Sequence, residues 1–438
     1  MLSIIRNAFK IPDLRKKLIY TLFIIIVFRI GATIPVPFLN LDALKTAMDS
    51  MTAGAGNLLG YLNVLSGGAF ASGTLFAMSV SPYINASIII QLLSVAIPAL
   101  ERMSKEGEEG RKKLGQITRY TTVALGLLQG FAFFLLLKNY GAVNYLKGAS
   151  GVFVSVTIVL TFTAGSALMM WLGEQINDKG IGNGISILLF AGILSRAPQA
   201  AATLWGYIQL AMEGQIKYYF IVPAIIIVFV LVIAFIVFMT DAERRVPVQY
   251  AKRVVGRKMY GGQSTHIPIK VNMSGVMPII FASSFLAIPG TIKGFIWGGR
   301  TSSSVWYKIL SWFDYNQLPY AIIYFLFILA FSYFYKAIQY NPIEMANNLR
   351  KNSGAIPGIR PGKPTSDFLN VIMNKVVLVG AIFLGFIAIL PIIVGAVTSI
   401  GGLALGGTTI LILVGVALET TKQIESQMLM RHYKGFLE

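Results

Sequence analysis

From Ile221 to Met239 the chain runs nineteen residues without one charged side chain. A helix of that length comes close to spanning the ~30 Å hydrocarbon core of a bilayer, where a backbone must satisfy its own N–H and C=O groups. Runs of the same kind recur near 18–38, 74–97, 117–137, 152–173, 184–204, 219–239, 274–292, 319–339, 371–392 and 403–420. They are apolar on every face rather than alternating, which excludes a β-barrel and predicts an all-α membrane protein of ten transmembrane helices. Composition agrees. Charged residues make up 13% of the chain and apolar ones 55%; about 25% charged is usual for a soluble domain.

An even number of crossings leaves both termini on one side, and the basic residues test this. Of 37 Lys and Arg, 28 fall in 1–17, 101–119, 174–183, 240–273, 335–375 and the stretch after 420. The alternating connections hold 8, and Arg29 alone lies inside a span. The positive-inside rule makes the basic side cytoplasmic, with both termini there. The net charge of +19 is therefore one-sided. The first apolar run has no small-residue cleavage pattern and reads as an uncleaved span. Before it, Leu2, Ile5 and Phe9 share a face in 1–12, which suits a short amphipathic helix on the cytoplasmic surface or a frayed tail.

Little covalent chemistry is available. The chain has no Cys and two His, His266 and His432, neither within a span. No HExxH is present, and no pair of intramembrane aspartates. The segment from Gly358 to Thr365 imitates a phosphate loop but has one residue too few between its glycines and Pro364 in the hydroxyl position. Asn85-Ala86-Ser87 matches a glycosylation sequon inside a span, where no glycan fits. No catalytic residue, metal site or cofactor is expected. An ion-coupled transporter would keep charged groups at membrane depth; Arg29 is the single deep candidate, and it can equally cap carbonyls or snorkel.

Irregularity concentrates in 54–73, where Gly54, Gly56, Gly60, Gly67, Gly68 and Gly73 surround a short apolar stretch from Asn57 to Leu65. Such a stretch is too short to cross a bilayer: it either folds back into a protein-lined cavity or rests outside as a loop. The second span then places Ile84 and Ile88 on one face, and the fifth repeats the spacing with Ile185 and Leu189, a pattern that ordinary packing also produces. In 240–273 a β-like run from Val246 to Tyr250 precedes a predicted hairpin tip at Gly256. Arg244, Arg245, Lys252, Arg253, Arg257 and Lys258 make this loop basic, and Arg350, Lys351, Arg360 and Lys363 do the same for 340–370. Two basic protrusions suit docking to something large and acidic; contact with anionic lipid headgroups is the plainer reading.

Several long motifs in order carry a resemblance along nearly the whole chain: SPYINASIIIQLL (81–93), EQINDKGIGNGISILLFAGI (174–193), YAKR to QSTHIPIKVN (250–272), GVMPIIFASS (275–284) and NPIEMANNLRKNSGAIPGIRPG (341–362). In these the chain resembles the SecY family, the central channel subunits of the Sec protein translocon. The resemblance implies a clamshell of two pseudo-symmetric five-helix halves, 18–204 and 205–420, between a cytoplasmic segment 1–17 and a cytoplasmic tail 421–438. It implies a pore ring of Ile84, Ile88, Ile185, Leu189, Ile280 and Ile412. A plug falls at about 57–70, on Asn57, Leu58, Leu59, Gly60, Tyr61, Leu62, Asn63, Val64, Leu65, Gly67 and Gly68. A lateral gate between spans 2 and 7 takes Asn85, Ser87, Gln91, Ser283 and Ser284, each of which either lines the gate or bonds its own backbone.

The implied partners are SecE and SecG, the SecA ATPase or the ribosome at Arg244, Arg245, Lys252, Arg253, Arg257, Lys258 and Arg360, signal peptides and nascent polypeptides, and lipid. The implied location is a bacterial cell membrane. Flexible aliphatic side chains suit such a channel physically, because they seal around an unfolded chain of any sequence without offering it a polar partner, and an apolar constriction resists wetting when empty. A side opening lets each segment choose lipid by its transfer free energy. The alternatives are a secondary transporter of a small solute and a scaffold that only recruits cytosolic machinery.

Overall fold

Proline and glycine decide where the helices begin and end. The computed structural model describes residues 2–44, 46, 66–139, 141–144, 148–213, 217–250, 253–255, 258–260, 264–297, 304–314, 317–398 and 407–434. Helix α1 (Leu2–Lys10) is followed at once by α2 (Pro12–Gly31), whose first turn opens on a proline that needs no N–H partner. The first predicted span was drawn to residue 38, but α2 stops at Gly31, ahead of Pro35 and Pro37. The second was drawn from residue 74, but α3 (Ser81–Ala96) starts later, with Pro82 in its first turn. Residues 66–80 are turns instead, with Gly67, Gly68, Gly73 and Ser79 at positive φ. At Pro98 the chain bends by 102° into α4 (Pro98–Lys105).

Then come α5 (Glu108–Asn139), α6 (Ala149–Lys179), α7 (Gly184–Leu194), α8 (Ala197–Met212) and α9 (Lys217–Asp241). The fifth predicted span is thus divided between α7 and α8 at Ser195-Arg196. A β insertion follows, with β1 (Glu243–Tyr250), β2 (Arg253–Val255), β3 (Lys258–Tyr260) and β4 (Ser264–Lys270). The remainder is α10 (Met277–Trp297), α11 (Val305–Ser311), α12 (Leu318–Gln339), α13 (Pro342–Lys351), β5 (Gly354–Ala355), α14 (Lys363–Thr398) and α15 (Gly407–Lys434). Each of the ten predicted apolar runs overlaps at least one of these helices, the fifth overlapping two. Six helical stretches among the described residues are long and apolar enough to cross a membrane, or seven counting the bent pair α3–α4. The chain is a mostly helical, multi-pass membrane protein.

Between helices in lipid, attraction comes from close packing rather than from escape of apolar surface from water. Small residues consequently mark the tightest contacts. A Cβ on Gly165 of α6 would meet the Leu75 carbonyl oxygen, and one on Gly31 of α2 would meet the ring of Phe76. One core joins α2, α6, α7, α10 and α15, from Ile24 and Phe28 to Ile412 and Val416. A second lies between α9, α10, α12, α14 and α15, around Ile279, Tyr324, Ile328, Ile387 and Leu411.

The two basic loops, read from sequence as separate protrusions, are one unit. Strand β1 pairs antiparallel with β4 on one side and with β5 on the other, with Gln249 opposite Ala355 and Tyr250 opposite Gly354. Alternation along β1 turns Val246 and Val248 inward onto Ile269, Leu349, Ile356, Leu369 and Met373. Strands β2 and β3 pair with Val255 opposite Lys258, as the hairpin reading requires, and bracket positions 256 and 257. At the N-terminus, Ala8 of α1 is buried with Leu14, Ile181 and Ile424, so α1 docks on the far end of α15 while Phe9 stays 44% exposed.

Val248 is fully buried in the sheet unit. Val248→Asp places a carboxylate there without a partner and should cost about 3 kcal/mol or more. Limited trypsin digestion should then cut within 243–270 while the helical remainder stays intact by mass.

Candidate functional site

Helix α7 is seated by its own first residues. The Asn183 side chain caps it, Oδ1 accepting from the Ser186 N–H at 3.3 Å, and Asn177 Oδ1 accepts from the Gly184 N–H at 2.8 Å. Gly184 lies so close to α6 that a Cβ would overlap the Gly173 carbonyl oxygen. From this fixed start Ile185 and Leu189, one turn apart, point into the apolar cluster that α7 shares with α2, α6, α10 and α15. Leu189, Ile280 and Ile412 belong to one apolar cluster, and Ile84 and Ile185 pack against it. Ile88 sits one turn along α3 in an adjoining cluster that Ile84 also touches. Four separate helices, α3, α7, α10 and α15, thus bring the six predicted ring residues together.

The adjoining cluster is the seam between α3 and α10. Across it Ile84, Ile88 and Leu92 face Met277 and Phe281, with Phe331 and Tyr335 behind. The two sides are unequal. Phe281 meets Phe331 at 5.7 Å and Tyr335 at 5.8 Å, edge to face, and Phe285 meets Phe331 at 5.3 Å. Aromatic pairs of this kind add about 0.5–1.5 kcal/mol each beyond their burial. Helix α10 is therefore bound to α12 by an aromatic ladder, whereas α3 brings to it only the aliphatic Ile84, Ile88 and Leu92 of this cluster. Asn85, Ser87 and Gln91 on α3 and Ser284 on α10 are half-buried. Ser283 is buried, and its hydroxyl donates to the Ile280 carbonyl of its own helix at 2.9 Å.

Of the predicted plug, Asn57 to Leu65 lie outside the described residues, and Gly67 and Gly68 lie within them. A cavity of about 410 Å³ is lined by Arg29, Thr33, Gly67, Gly68, Ser72 and Thr74, among others. Arg29, the deep charge singled out in the sequence, is half-buried, and its Nη1 donates to Ser195 Oγ at 2.9 Å.

A model of the SecY family matches residues 74–421. The chain belongs to the SecY family. It is 45% identical to the protein translocase subunit SecY of Streptomyces scabiei over 449 residues, covering 100% of both chains. Among solved structures it resembles one described as "The structure of a protein conducting channel", with a TM-score of 0.66 at 20% identity over 94% of this chain and 92% of that one. The channel of the canine ribosome-channel complex from the endoplasmic reticulum follows at 0.61 and 18%, with 94% and 92% covered. At such identity the structures speak for the fold.

In this SecY-family chain the basic residues spread over the sheet unit. Arg244 and Arg360 are exposed, and Arg245 is exposed with its Nε 2.7 Å from Glu243 Oε1. Arg253 and Lys258 stand on the paired strands β2 and β3, whereas Lys252 and Arg257 lie outside the described residues. Two features escaped the sequence reading. Lys336, assigned there to a loop, is buried on α12 and donates to Asn370 Oδ1 at 2.5 Å and Asn374 Oδ1 at 2.9 Å on α14. The four-residue spacing of the two asparagines was its available signal. The aromatic ladder was legible too, in the spacing of Phe327, Phe331 and Tyr335.

Gly184→Ala tests how the ring is held. With no room at Gly173, α7 must shift, costing about 1–3 kcal/mol. The thermal midpoint of the purified protein in detergent should fall, while Gly206→Ala, with open space around it, should leave it unchanged.

Proposed function

We propose that this chain is the pore of a bacterial protein translocase: a passive, gated conduit that passes unfolded polypeptides across the cell membrane and releases apolar segments sideways into lipid. The single observation that carries the reading is the convergence of Ile84, Ile185, Leu189, Ile280 and Ile412 from four helices on one apolar cluster, with Ile88 adjoining. An aliphatic collar has no fixed polar group to hold a passing chain, and when narrow it excludes water and ions.

Ten crossings in two five-helix halves fit the ten helix-borne apolar runs and the one-sided charge, with both termini cytoplasmic. The halves, 18–204 and 205–420, meet at the collar. Lateral release runs through the α3–α10 seam, where the contact is aliphatic and the half-buried Asn85, Ser87 and Gln91 weaken it. The plug is the segment at 57–70, which abuts α7 at the described Gly67. SecE and SecG complete the assembly.

The energy comes from a partner, since the collar offers charge to neither an ion gradient nor a nucleotide. Exposed Arg244, Arg245 and Arg360 on the sheet unit, with Lys252, Arg253, Arg257 and Lys258 beside them in sequence, suit an acidic or RNA surface. The ribosome and SecA are the partners proposed. The canine relative's ribosome-channel complex supports the first. The relatives compared above give no support to a small-solute transporter.

Two measurements test the proposal. Replacing Ile84, Ile185, Ile280 and Ile412 together by glycine should raise ion conductance through reconstituted vesicles well above that of the parent; equal conductance would remove the collar. Reversing Arg257, Lys258 and Arg360 to glutamate should weaken binding of SecA or the ribosome at least about tenfold at low salt, with a smaller difference at high salt. Binding indifferent to both changes would remove the docking surface.

A further inference from the structure

Helix α11 is inside out for a helix in water. On the helical wheel Val305, Trp306, Ile309 and Trp312 fall on one side, and all are exposed, the two tryptophans by 70% and 60%. Tyr307, Leu310 and Ser311 fall on the other side and are half-buried. A surface helix in water turns its apolar stripe to the protein and its polar groups outward. Here the polar contacts are on the protein side. Lys293, near the end of α10, donates from Nζ to Oδ2 of Asp314, just past α11, at 2.5 Å, and its ammonium lies 4.7 Å from the centroid of the Tyr307 ring. The Lys293 side chain is 17% exposed, so this bonded side is shielded from solvent.

What covers the outer side follows from the neighbouring helices. Helix α12, which comes next in the chain, begins a stretch long and apolar enough to cross a membrane, and along it Leu318, Ile322 and Leu326 recur every fourth residue and are exposed. On α10, Ile288, Ile292 and Ile296 do the same. Such stripes on crossing helices face acyl chains. Helix α11 joins the end of one stripe to the start of the other, which is a membrane boundary. Tryptophan is enriched at that level, because its ring is apolar while its indole N–H reaches headgroups or water. Lys308, exposed at the rim of the same face, has a stem to lie along apolar surface and a charge to reach phosphate.

We propose that α11 is a lipid-interface anchor for the C-terminal end of α10: its outer face lies in the layer between headgroups and acyl chains, and Lys293 straps it to α10 through Asp314 and Tyr307. Charge-assisted hydrogen bonds are the stronger kind, and the ring beneath the ammonium adds to the hold. Helix α10 then cannot shift at that end without dragging two tryptophans through the interface. That α10 shifts at all rests on the channel reading above; the anchor and the strap rest only on the chain's crossing a membrane.

The chain contains no Cys, so one introduced thiol can carry an environment-sensitive dye. Ile309→Cys, Leu326→Cys and Glu344→Cys are labelled separately, each in the full-length protein in vesicles of equal parts phosphatidylcholine and phosphatidylglycerol. Nitroxide lipids then quench from near the headgroup or from near the methyl end of the chain. The dye at 309 should be quenched more by the shallow nitroxide and the dye at 326 more by the deep one, while the dye at 344, exposed on α13, should respond only to aqueous iodide. A dye at 309 that behaves like the one at 344 stands in water, and one that behaves like the one at 326 lies in the hydrocarbon; either result overturns the proposal. So does a dye that neither nitroxides nor iodide reach, because a second copy or another protein then covers the face.

The strap is read by timing the reaction of Leu310→Cys, on the inner side of α11, with a maleimide in detergent. Lys293→Met should speed it about threefold to tenfold, as the loss of one bond between charged groups predicts, and Lys293→Arg, which keeps the charge, should stay near the parent. No change in Lys293→Met, or equal speeding by both variants, overturns the strap. Faster labelling of Leu369→Cys, fully buried in the sheet unit, in the Lys293→Met background also overturns it, because Lys293 is then needed merely for folding.

Discussion

Packing between helices that lipid does not drive together is the constraint on which the rest of this structure depends. In water, burying a leucine face is worth having wherever it lands; between acyl chains it gains almost nothing, and contact must come from fit, hydroxyl bonds and aromatic geometry. Glycines therefore sit where helices come closest: Gly184 over Gly173, Gly165 under Leu75, Gly31 under Phe76 and Gly385 beside Phe325. Each of these contacts holds a helix at a fixed depth and rotation. Helix α7 can present Ile185 and Leu189 to the collar only because its first residue has no side chain to keep it off α6.

The same constraint grades the seams. Helix α15 packs on α7, and its C-terminal part is tied to α1 and α2 through Ile424, Ala8 and Leu14. The turn between α6 and α7 is stitched in as well, with Ile181 N–H donating to Thr21 Oγ1 at 3.2 Å. Opposite this side, α10 leans on α12 through five aromatic rings but meets α3 through aliphatic side chains. A bundle with one side bonded and the other merely touching is weaker on the touching side, the side proposed for lateral release. No element of that asymmetry requires a charge in the apolar cluster of Ile84, Ile185, Leu189, Ile280 and Ile412.

Much of this was legible in the sequence, and the rest was hidden for identifiable reasons. Apolar run length located all ten helix-bearing segments, and i, i+4 spacing picked out Ile84 with Ile88 and Ile185 with Leu189. Run length could not show that residues 74–80 are turns, because Leu75, Phe76, Ala77, Met78 and Val80 are as apolar as any helix; the positive φ of Gly73 and Ser79 breaks the pattern, and a serine there carries no warning. Nor could periodicity show that the loops at 240–273 and 340–370 share a sheet, since β5 is two residues long and its pairing with β1 bridges about a hundred positions. Lys336 was misplaced because a lysine at a span end ordinarily reaches for water, and only the two asparagines of another helix make burial affordable.

The shared sheet changes what the proposed partner at the basic loops would act upon. Had the basic loops been independent, a body bound to one would have left the other free. With β1 between β4 and β5, and Val246 and Val248 packed on Leu369 and Met373 of α14, the unit moves as one piece on the end of that helix. Strand β4 ends at Lys270 and α10 begins at Met277, and within the short link the Val271 N–H donates to the Ala242 carbonyl at 2.9 Å while its own carbonyl lies against Gly380. Whatever grips the sheet is thus a few residues from the start of α10, the helix whose other edge is the weak seam. Force applied to the basic surface has a short path to the seam between α10 and α3.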